Sequence, residues 1–307
     1  MGTVQGGAEQ VNIYSSAYSS ASGIVRYALL AIPLVFLTVF FLLPLALTIV
    51  VSFWERAGFW MQPTFSLRAY QDFFGGPRLF LLRRGLSVAA LVTALGLALA
   101  YPIAYFLCMH VRVKVSRTVL LLFTVPFVVN YIIRNFSWAY LLSRTGPINH
   151  ALQALHLTRG PVDWLLFSDF SVLVGLVTSY MPFMIYPLWL ALAGIDRGLI
   201  QASWMLGAPP LSTFLRITLP LSTPGIFAAI IFGFVGSFGE SAVPIILGGL
   251  GYQLMGNTIT STLDVLNYPL AAAMSSIVVV VMLLFLGVWY LAFDVRAFLG
   301  KIVRWRY

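Results

Sequence analysis

The chain has 307 residues, of which 60% are hydrophobic and 9% are charged, and its mean hydropathy is +0.94. A soluble domain carries about 25% charged residues and cannot hide so many apolar side chains, so lipid must be the solvent for much of this surface. The net charge of +9 is therefore interpreted as basic residues that flank membrane helices, which excludes a nucleic-acid interface. The single cysteine, Cys108, excludes an intrachain disulfide, and the three histidines show no metal-ligand spacing.

Six long apolar segments follow one another along the chain. Each is long enough to supply the about 20 residues with which a helix crosses about 30 Å of hydrocarbon. They predict an all-α polytopic membrane protein with six transmembrane helices, of which the first is kinked at Pro33 and Pro44. The predicted spans are residues 27–53, 86–109, 118–142, 170–192, 221–247 and 270–293.

The segments outside the spans define the domain organisation. Residues 1–25 are rich in Ser, Gly, Ala and Tyr and predict an N-terminal tail. The apolar stretch after Arg26 is too long for the h-region of a cleaved signal peptide. Residues 26–294 form one six-span transmembrane domain that includes a long hydrophilic connection at 193–220, and residues 295–307 form a basic tail. No internal repeat and no second soluble domain are evident.

Basic residues are distributed unequally between the two faces that six spans create. The face with both termini receives ten Lys and Arg against three acidic residues, and the opposite face receives seven against five. Because cytoplasmic loops carry an excess of Lys and Arg, both termini are predicted to be cytoplasmic.

The sequence lacks a phosphate-binding loop for nucleotide. Its two lysines, Lys114 and Lys301, do not end a G-x-x-x-x-G-K-[ST] pattern. If ATP drives the activity of this protein, another subunit must bind it.

Two ionisable residues, Arg134 and Glu240, fall inside predicted spans. An ionised side chain that faces lipid costs about 2.5 kcal/mol or more, so each should face a cavity, the other residue or a partner chain. Both are candidates for a translocation path, and the alternative is that they pair and only lock helices together. Gly233, Gly236 and Gly239 precede Glu240 at a spacing of three, which is typical of tight helix packing and also suits a gate at a subunit interface.

Three aromatic residues, Tyr131, Trp138 and Tyr180, are further candidates for the path. Their rings could hold an organic cation by cation–π attraction, whereas anchoring at the lipid interface is the commoner role for any one of them. The spans show no nucleophile with its base and no set of metal ligands, which disfavours an intramembrane enzyme. A gradient-driven secondary transporter would need broken helices and ion-coupling groups, for which Arg134 and Glu240 are the available candidates.

The connection at 193–220 has a pattern of its own. Residues 197–206 are helix-forming, Gly207 is a natural helix stop, and Pro209 and Pro210 prevent continuation. The sequence therefore predicts a short helix followed by a sharp bend into the fifth span. That shape is suited to docking into a groove of a partner.

The same connection resembles the cytoplasmic loop signature of ABC importer permeases, E-A-A-x3-G-x9-I-x-L-P. The spacing agrees at every step, although Gln replaces the leading Glu and Ser replaces the second Ala, so the leading negative charge is lost while the docking shape is kept. The residues that carry the signature, and that the resemblance assigns to coupling with an ATPase, are Gln201, Ala202, Ser203, Gly207, Ile217, Leu219 and Pro220.

Further motifs resemble those of spermidine/putrescine-type permeases. They occur in the order and spacing of that subgroup over most of residues 27–293, which makes the set far more specific than any single fragment. They are Ala-Tyr-Pro-Ile-Ala-Tyr at 100–105, Pro126-Phe127, Ile133-Arg134, Trp138, Gly-Pro-Ile-Asn at 146–149, Gly-Glu-Ser-Ala-Val-Pro at 239–244, Gly-Asn-Thr-Ile at 256–259 and Asn-Tyr-Pro-Leu-Ala-Ala-Ala at 267–273.

The resemblance implies the permease core fold in a bacterial inner membrane, with both termini cytoplasmic. It implies three partners: a cytoplasmic ABC ATPase dimer that binds ATP and Mg²⁺, a second homologous permease, and a periplasmic or lipid-anchored substrate-binding protein. No cofactor is expected in this chain itself. Transport would proceed by alternating access, with a small organic cation such as a polyamine as the expected substrate. Iron, opines and aminophosphonates are the alternatives within the same family.

Overall fold

The structure, a computed structural model, describes residues 30–128 and 130–292. The tails predicted at 1–25 and 295–307 lie outside the described residues. The described chain is built from helices and one short pair of strands. In chain order they are α1 Leu30–Val51, β1 Glu55–Ala57, β2 Trp60–Gln62, α2 Arg68–Phe74, α3 Arg78–Met109, α4 Val113–Val128, α5 Tyr131–Leu142, α6 Pro147–Ala154, a 3-10 turn Asp163–Leu165, α7 Asp169–Ala193, α8 Arg197–Met205, α9 Pro210–Phe238, α10 Ala242–Gly248, α11 Met255–Asp264 and α12 Tyr268–Ala292.

Five helices in the described chain are long and apolar enough to cross a membrane, namely α1, α3, α7, α9 and α12. They agree with five of the six predicted spans and confirm the all-α polytopic fold class. The predicted third span, residues 118–142, is divided between α4 and α5, neither of which is long enough to cross alone. The Asn130 side chain accepts a hydrogen bond from the Ile132 N–H at 2.9 Å, so a polar cap inside an apolar segment starts the second helix.

The bundle has two ends. Residues 54–77, 143–168 and 249–267 lie at the end that carries the strand pair, which is called the hairpin end. The other end, where α3 and α7 finish and α8 lies, is called the α8 end.

The centre of the bundle is formed by α3, α7 and α9. Small residues let these helices approach closely, because a Cβ at Gly225 of α9 would lie only 2.5 Å from the Cβ of Ala191 in α7. A Cβ at Gly96 of α3 would lie 2.8 Å from the sulfur of Met184 in α7. By contrast, α1 packs along α12 and none of the residues in its apolar stretch is buried within the described chain. This helix therefore faces lipid over most of its surface.

Two π-helical turns interrupt these helices, and each precedes a proline. In α1 the turn Thr38–Leu42 leads to Pro44, and in α9 the turn Phe214–Thr218 leads to Pro220. Proline has no N–H to donate to the preceding turn. The residue just before it instead donates five residues back, from the Leu43 N–H to the Thr38 carbonyl and likewise in α9.

The connection between the predicted spans at 27–53 and 86–109 is more structured than a plain loop. A two-stranded antiparallel hairpin pairs Glu55 with Gln62 and turns at Gly58, whose φ is +64°. Helix α3 then begins at Arg78 instead of near residue 86. The arginines at 78–84 therefore belong to the first turns of a span and lie at the hairpin end.

The predicted fifth span, residues 221–247, is wrong at both ends. Helix α9 begins at Pro210, well inside the connection expected to be hydrophilic, and ends at Phe238. Glu240 lies in a break before α10, so it is not inside a continuous helix. The predicted loop at 248–269 also contains a helix, α11, which packs against α10 and α12.

Candidate functional site

The Glu240 side chain lies at the break between α9 and α10. Its Oε1 accepts hydrogen bonds from the backbone N–H groups of Ser241 and Ala242, each at 2.9 Å. Its Oε2 accepts a hydrogen bond from the Tyr180 hydroxyl at 2.7 Å. The carboxylate thus caps the N-terminus of α10 and links it to α7 through Tyr180.

Two glycines let other helices reach this break. A Cβ at Gly236 would lie 2.2 Å from the ring of Tyr180, so only glycine allows that ring to lie across α9. A Cβ at Gly256 of α11 would lie 2.4 Å from the carbonyl oxygen of Glu240. Gly233 likewise packs on Met184, so the glycine stripe at 233 and 236 serves helix packing within the chain.

The start of α5 supplies the rest of the cluster. The Tyr131 hydroxyl is buried beside Glu240 and Asn135, although it makes no hydrogen bond of standard geometry with a described residue. The Arg134 guanidinium carbon lies 5.4 Å from the centre of the Tyr131 ring, within cation–π range. Trp138, further along α5, packs on the hydrophobic cluster that Tyr131 and Tyr180 also contact. Four of the five residues predicted for the path therefore lie together at the break, and Trp138 lies on the same hydrophobic cluster.

The cluster lies near the middle of the bundle in depth. Tyr180 is close to the midpoint of α7, and α10 runs from Glu240 toward the N-terminal end of that helix. There the Leu247 carbonyl accepts hydrogen bonds from the Phe167 N–H at 3.0 Å and the Ser171 hydroxyl at 2.8 Å. At this depth the Glu240 carboxyl group thus has polar partners within the protein, which lipid would not supply.

The structure also brings polar residues to the site that the sequence analysis did not assign to the path. Asn135 is completely buried and donates from Nδ2 to the Tyr131 carbonyl at 3.0 Å. Asn257 holds the start of α11, because its Oδ1 accepts from the Leu254 N–H and its Nδ2 donates to the Tyr252 carbonyl. A buried asparagine in an apolar segment is the signal that could have pointed to both.

The connection predicted to couple with a partner contains the expected short helix. The Asp196 side chain accepts from the Gly198 N–H at 2.8 Å and caps α8, which ends at Met205. Gly207 has a φ of +76°, the left-handed conformation of a glycine helix stop. The neighbouring Ala208 N–H donates to the Ser203 carbonyl at 3.1 Å, which completes the stop.

The residues of the coupling signature fall on two helices. Gln201 and Ala202 are exposed on α8, and the Ser203 hydroxyl lies 2.9 Å from the hydroxyl of Thr213 at the start of α9. The other signature residues, Ile217, Leu219 and Pro220, lie within α9 itself. The prediction that they belong to a loop is wrong, because the π turn before Pro220 lets the helix continue through the proline.

The two ends of the bundle differ in how their charges are paired. The three ion pairs within the described residues all lie at the hairpin end: Arg68–Glu55, Arg84–Asp169 and Arg144–Asp163. The Tyr252 hydroxyl also donates to Asp169 at 2.7 Å, beneath the Arg84 guanidinium. Burial, followed by this bond to a carboxylate, raises the pKa of Tyr252 above its usual range, so the hydroxyl remains a donor.

A bundle of long apolar helices, with a broken span that carries an acid at mid-depth and a short helix between two spans, defines an α-helical membrane transporter. Residues 96–298 match the family described as binding-protein-dependent transport system inner membrane component. The chain belongs to this family and is a permease subunit of an ABC importer, a non-enzymatic component of the inner membrane. The resemblance inferred from the sequence motifs is confirmed.

Named relatives lie within the same family. The chain is 34% identical over 259 residues to the spermidine/putrescine transport system permease protein PotB of Escherichia coli (strain K12). The aligned region covers 83% of this chain and 93% of the relative. It is 32% identical to the PotB protein of Haemophilus influenzae, over 82% of this chain and 88% of that one. It is 29% identical to the inner membrane ABC transporter permease protein YdcU of Escherichia coli, over 74% and 76% of the two chains.

Solved structures share the fold. A bacterial ABC transporter involved in the import of the acidic polysaccharide alginate matches with a TM-score of 0.68 over 88% of this chain and 95% of that one, at 17% identity. A bacterial alginate ABC transporter in complex with an alginate pentasaccharide-bound periplasmic protein matches with a TM-score of 0.71, over 87% and 94% of the two chains and again at 17% identity. At this identity the likeness concerns the fold alone.

Proposed function

We propose that this permease forms half of the translocation path for a small organic cation, with polyamines as the preferred class. The supporting observation is the cluster of Glu240, Tyr180 and Tyr131 at the helix break in the middle of the bundle, with Trp138 on the adjoining hydrophobic cluster. Two relatives that are 32–34% identical carry the name spermidine/putrescine permease, which favours the same class of substrate here.

The chemistry of the cluster suits an ammonium group. The Glu240 carboxylate accepts hydrogen bonds from two backbone N–H groups and the Tyr180 hydroxyl, and these donors are neutral, so they hold it in place without supplying a positive charge. A carboxylate offers about four acceptor positions, so it can also accept from a substrate N–H. The rings of Tyr131 and Trp138 add apolar and cation–π contact for an alkyl ammonium.

Arg134 gives the same site a competing charge. Its guanidinium lies over Tyr131 and interacts electrostatically with the hydroxyls of Tyr131 and Tyr180. A cationic substrate would therefore compete with Arg134 for the same acceptors. Arg134 also favours the alternative within the family, an opine or an aminophosphonate, because these solutes carry anionic groups that a guanidinium binds well.

Coupling to ATP is proposed to occur through α8. Its C-terminal turn exposes apolar side chains, with Met205 89% and Leu206 87% exposed, beside the exposed Gln201. An apolar helix end of this kind would dock into a groove on a cytoplasmic ATPase dimer, which binds ATP and Mg²⁺. With a second homologous permease and a periplasmic or lipid-anchored binding protein, movement of α8 would drive alternating access at Glu240.

The proposed orientation places the α8 end and both termini in the cytoplasm. The supporting observation is charge, since Arg112, Lys114, Arg117, Arg197 and Arg216 lie at this end without an ion pair to a described acid. Uncompensated basic residues at the ends of spans are typical of the cytoplasmic side.

The substrate proposal is tested with Glu240→Gln and Arg134→Gln in the reconstituted importer. Losing the negative charge removes a charge-assisted contact of about 1.5–3 kcal/mol, so uptake of labelled spermidine should fall about ten- to a hundredfold in the first variant. Uptake in the second variant should be kept or raised.

Undiminished spermidine uptake with Glu240→Gln would remove this residue from the path, and collapse of uptake only with Arg134→Gln would favour an anionic solute. Uptake that continues without ATP and follows an ion gradient would support a secondary transporter.

A further inference from the structure

We propose that a basic cavity at the α8 end binds the phosphate-bearing headgroup of an anionic phospholipid. The cavity has a volume of about 320 Å³ and is enclosed by the last turns of α3 and α7, the first turns of α4, and Arg197 at the start of α8. It is separate from the Glu240 cluster, which lies at mid-depth, and from the apolar C-terminal turn of α8.

The lining of the cavity is cationic. Arg117 and Arg197 both line it, and its lining contains no acidic residue. The Arg197 Nη2 donates to the Cys108 carbonyl at 3.0 Å, which fixes the guanidinium at the rim while its other N–H groups stay available. Paired planar donors of this kind match the oxygens of a phosphate group.

The position of the cavity favours a lipid as the source of the phosphate. Helix α3 ends at Met109 and α7 ends at Ala193, so the cavity lies where two spans leave the hydrocarbon region. The apolar side chains of Val113 and Leu192 line it beside the two arginines. A headgroup with the upper part of its acyl chains needs this combination of charge and apolar surface, whereas a free phosphate ion needs only the charge.

One wall of the cavity is held by a buried polar contact. The Trp189 indole N–H donates to the Ser116 hydroxyl at 2.9 Å, and Ser116 is only 2% exposed. This bond joins α7 to α4 directly behind the arginines. Exposed Arg112 and Lys114 extend the positive charge from the cavity along the surface, as anionic lipid headgroups prefer.

The test is native mass spectrometry of the purified importer, isolated through this chain with the subunits that accompany it. The complex is incubated with equal amounts of phosphatidylglycerol and phosphatidylcholine, and the retained lipids are counted. Arg117→Gln with Arg197→Gln is compared with Arg83→Gln with Arg159→Gln, a control pair that removes two exposed arginines at the hairpin end. Arg117→Gln alone serves if the double variant fails to assemble, since the Arg197 side chain also bonds to Cys108.

The expected result is a loss of about tenfold or more in phosphatidylglycerol retention for the cavity pair, from about 1 kcal/mol per basic residue. The hairpin-end pair should retain phosphatidylglycerol as the unmodified complex does, and phosphatidylcholine retention should not change. Equal retention by the cavity pair and the unmodified complex, or an equal loss in both pairs, would overturn the proposal. Displacement of the lipid by millimolar inorganic phosphate, with phosphate binding to the delipidated complex, would identify a free-anion site and also overturn it.

Discussion

The hairpin end and the α8 end of the bundle differ in how many of their basic residues form ion pairs within the chain. At the hairpin end, Arg68, Arg84 and Arg144 each pair with a carboxylate of the same chain. At the α8 end the single described acid, Asp196, caps α8, and the arginines and lysine around it have no carboxylate partner among the described residues. Three of the seven arginines at the hairpin end are thus paired with carboxylates of the chain, whereas no described basic residue at the α8 end is.

The difference indicates which end of the bundle is available to bind other molecules. The ion pairs hold parts of the hairpin end together within the chain, whereas the unpaired cations and the exposed apolar turn of the α8 end are available to bind other molecules. The α8 end therefore has the features of a surface for the ATPase and for anionic lipid. Substitutions at equivalent positions of the two ends test this comparison.

Among substitutions at the two ends, the largest effect is expected for Gly207→Leu at the α8 end. A side chain at a φ of +76° costs about 1–2 kcal/mol, so α8 would no longer end where it does and its exposed turn would be displaced. The matched control is Gly160→Leu at the hairpin end, where a Cβ likewise meets nothing within 4 Å and no positive φ is required. Spermidine uptake and ATP hydrolysis are measured in the same reconstituted samples.

Gly207→Leu should lower uptake about five- to thirtyfold while the chain still inserts into the membrane, and ATP hydrolysis should no longer be tied to uptake. Gly160→Leu should transport normally. Normal uptake with Gly207→Leu would withdraw the coupling role from α8, and an equal loss in both variants would show that the two ends do not differ in this respect.

A smaller effect is expected for Tyr252→Phe at the hairpin end. The change removes the hydroxyl that donates to Asp169 at 2.7 Å and leaves the ring beneath Arg84. Loss of a hydrogen bond to a charged group costs about 1.5–3 kcal/mol, so the thermal midpoint of the purified complex should fall. The neighbouring Arg84–Asp169 pair should keep uptake at its normal rate, because the hairpin end is held by its own contacts. A large loss of uptake with an unchanged thermal midpoint would contradict this structural role.

The smallest effect is expected for Arg68→Gln. The Arg68–Glu55 pair is exposed, with 71% and 41% of the two side chains accessible, and such pairs contribute about 0–1 kcal/mol. Neither the thermal midpoint nor uptake should change measurably. A marked loss of stability would show that the hairpin depends on this pair more than its exposure suggests.

The sequence predicted the structure best where a hydrophobic segment is long or where glycine and proline mark the end of a helix. Five spans, the helix at 197–205 and its glycine stop follow from hydrophobic length and from Gly207 with Pro209. The helix breaks at residues 130 and 239–241 were missed, because both lie in segments apolar enough to be taken for one span. A local cap by Asn130 starts the helix after the first break, and contacts of Glu240 with Tyr180 and Gly256 accompany the second. Hydropathy does not report such contacts.

The candidate site was predicted residue by residue but not as a site. Each of Tyr131, Arg134, Tyr180 and Glu240 stands out as polar, ionisable or aromatic in a span. Their convergence depends on the approach of three helices, which Gly236 permits at the Tyr180 ring. The reverse holds for Ile217, Leu219 and Pro220. Their motif spacing was recognised but their helical conformation was not, because a proline normally ends a helix and the sequence does not show the π turn that accommodates Pro220.

The assembly of an ATP-driven importer is tested most directly by isolating the tagged chain from its native host in mild detergent, identifying its partners by mass spectrometry and measuring ATP hydrolysis. We expect a stoichiometric ATPase, a second permease and a substrate-binding protein, with hydrolysis stimulated when the binding protein carries its ligand. A chain that purifies alone, shows no associated ATP hydrolysis and transports along an ion gradient after reconstitution would contradict this expectation and would remove the coupling role from the α8 end.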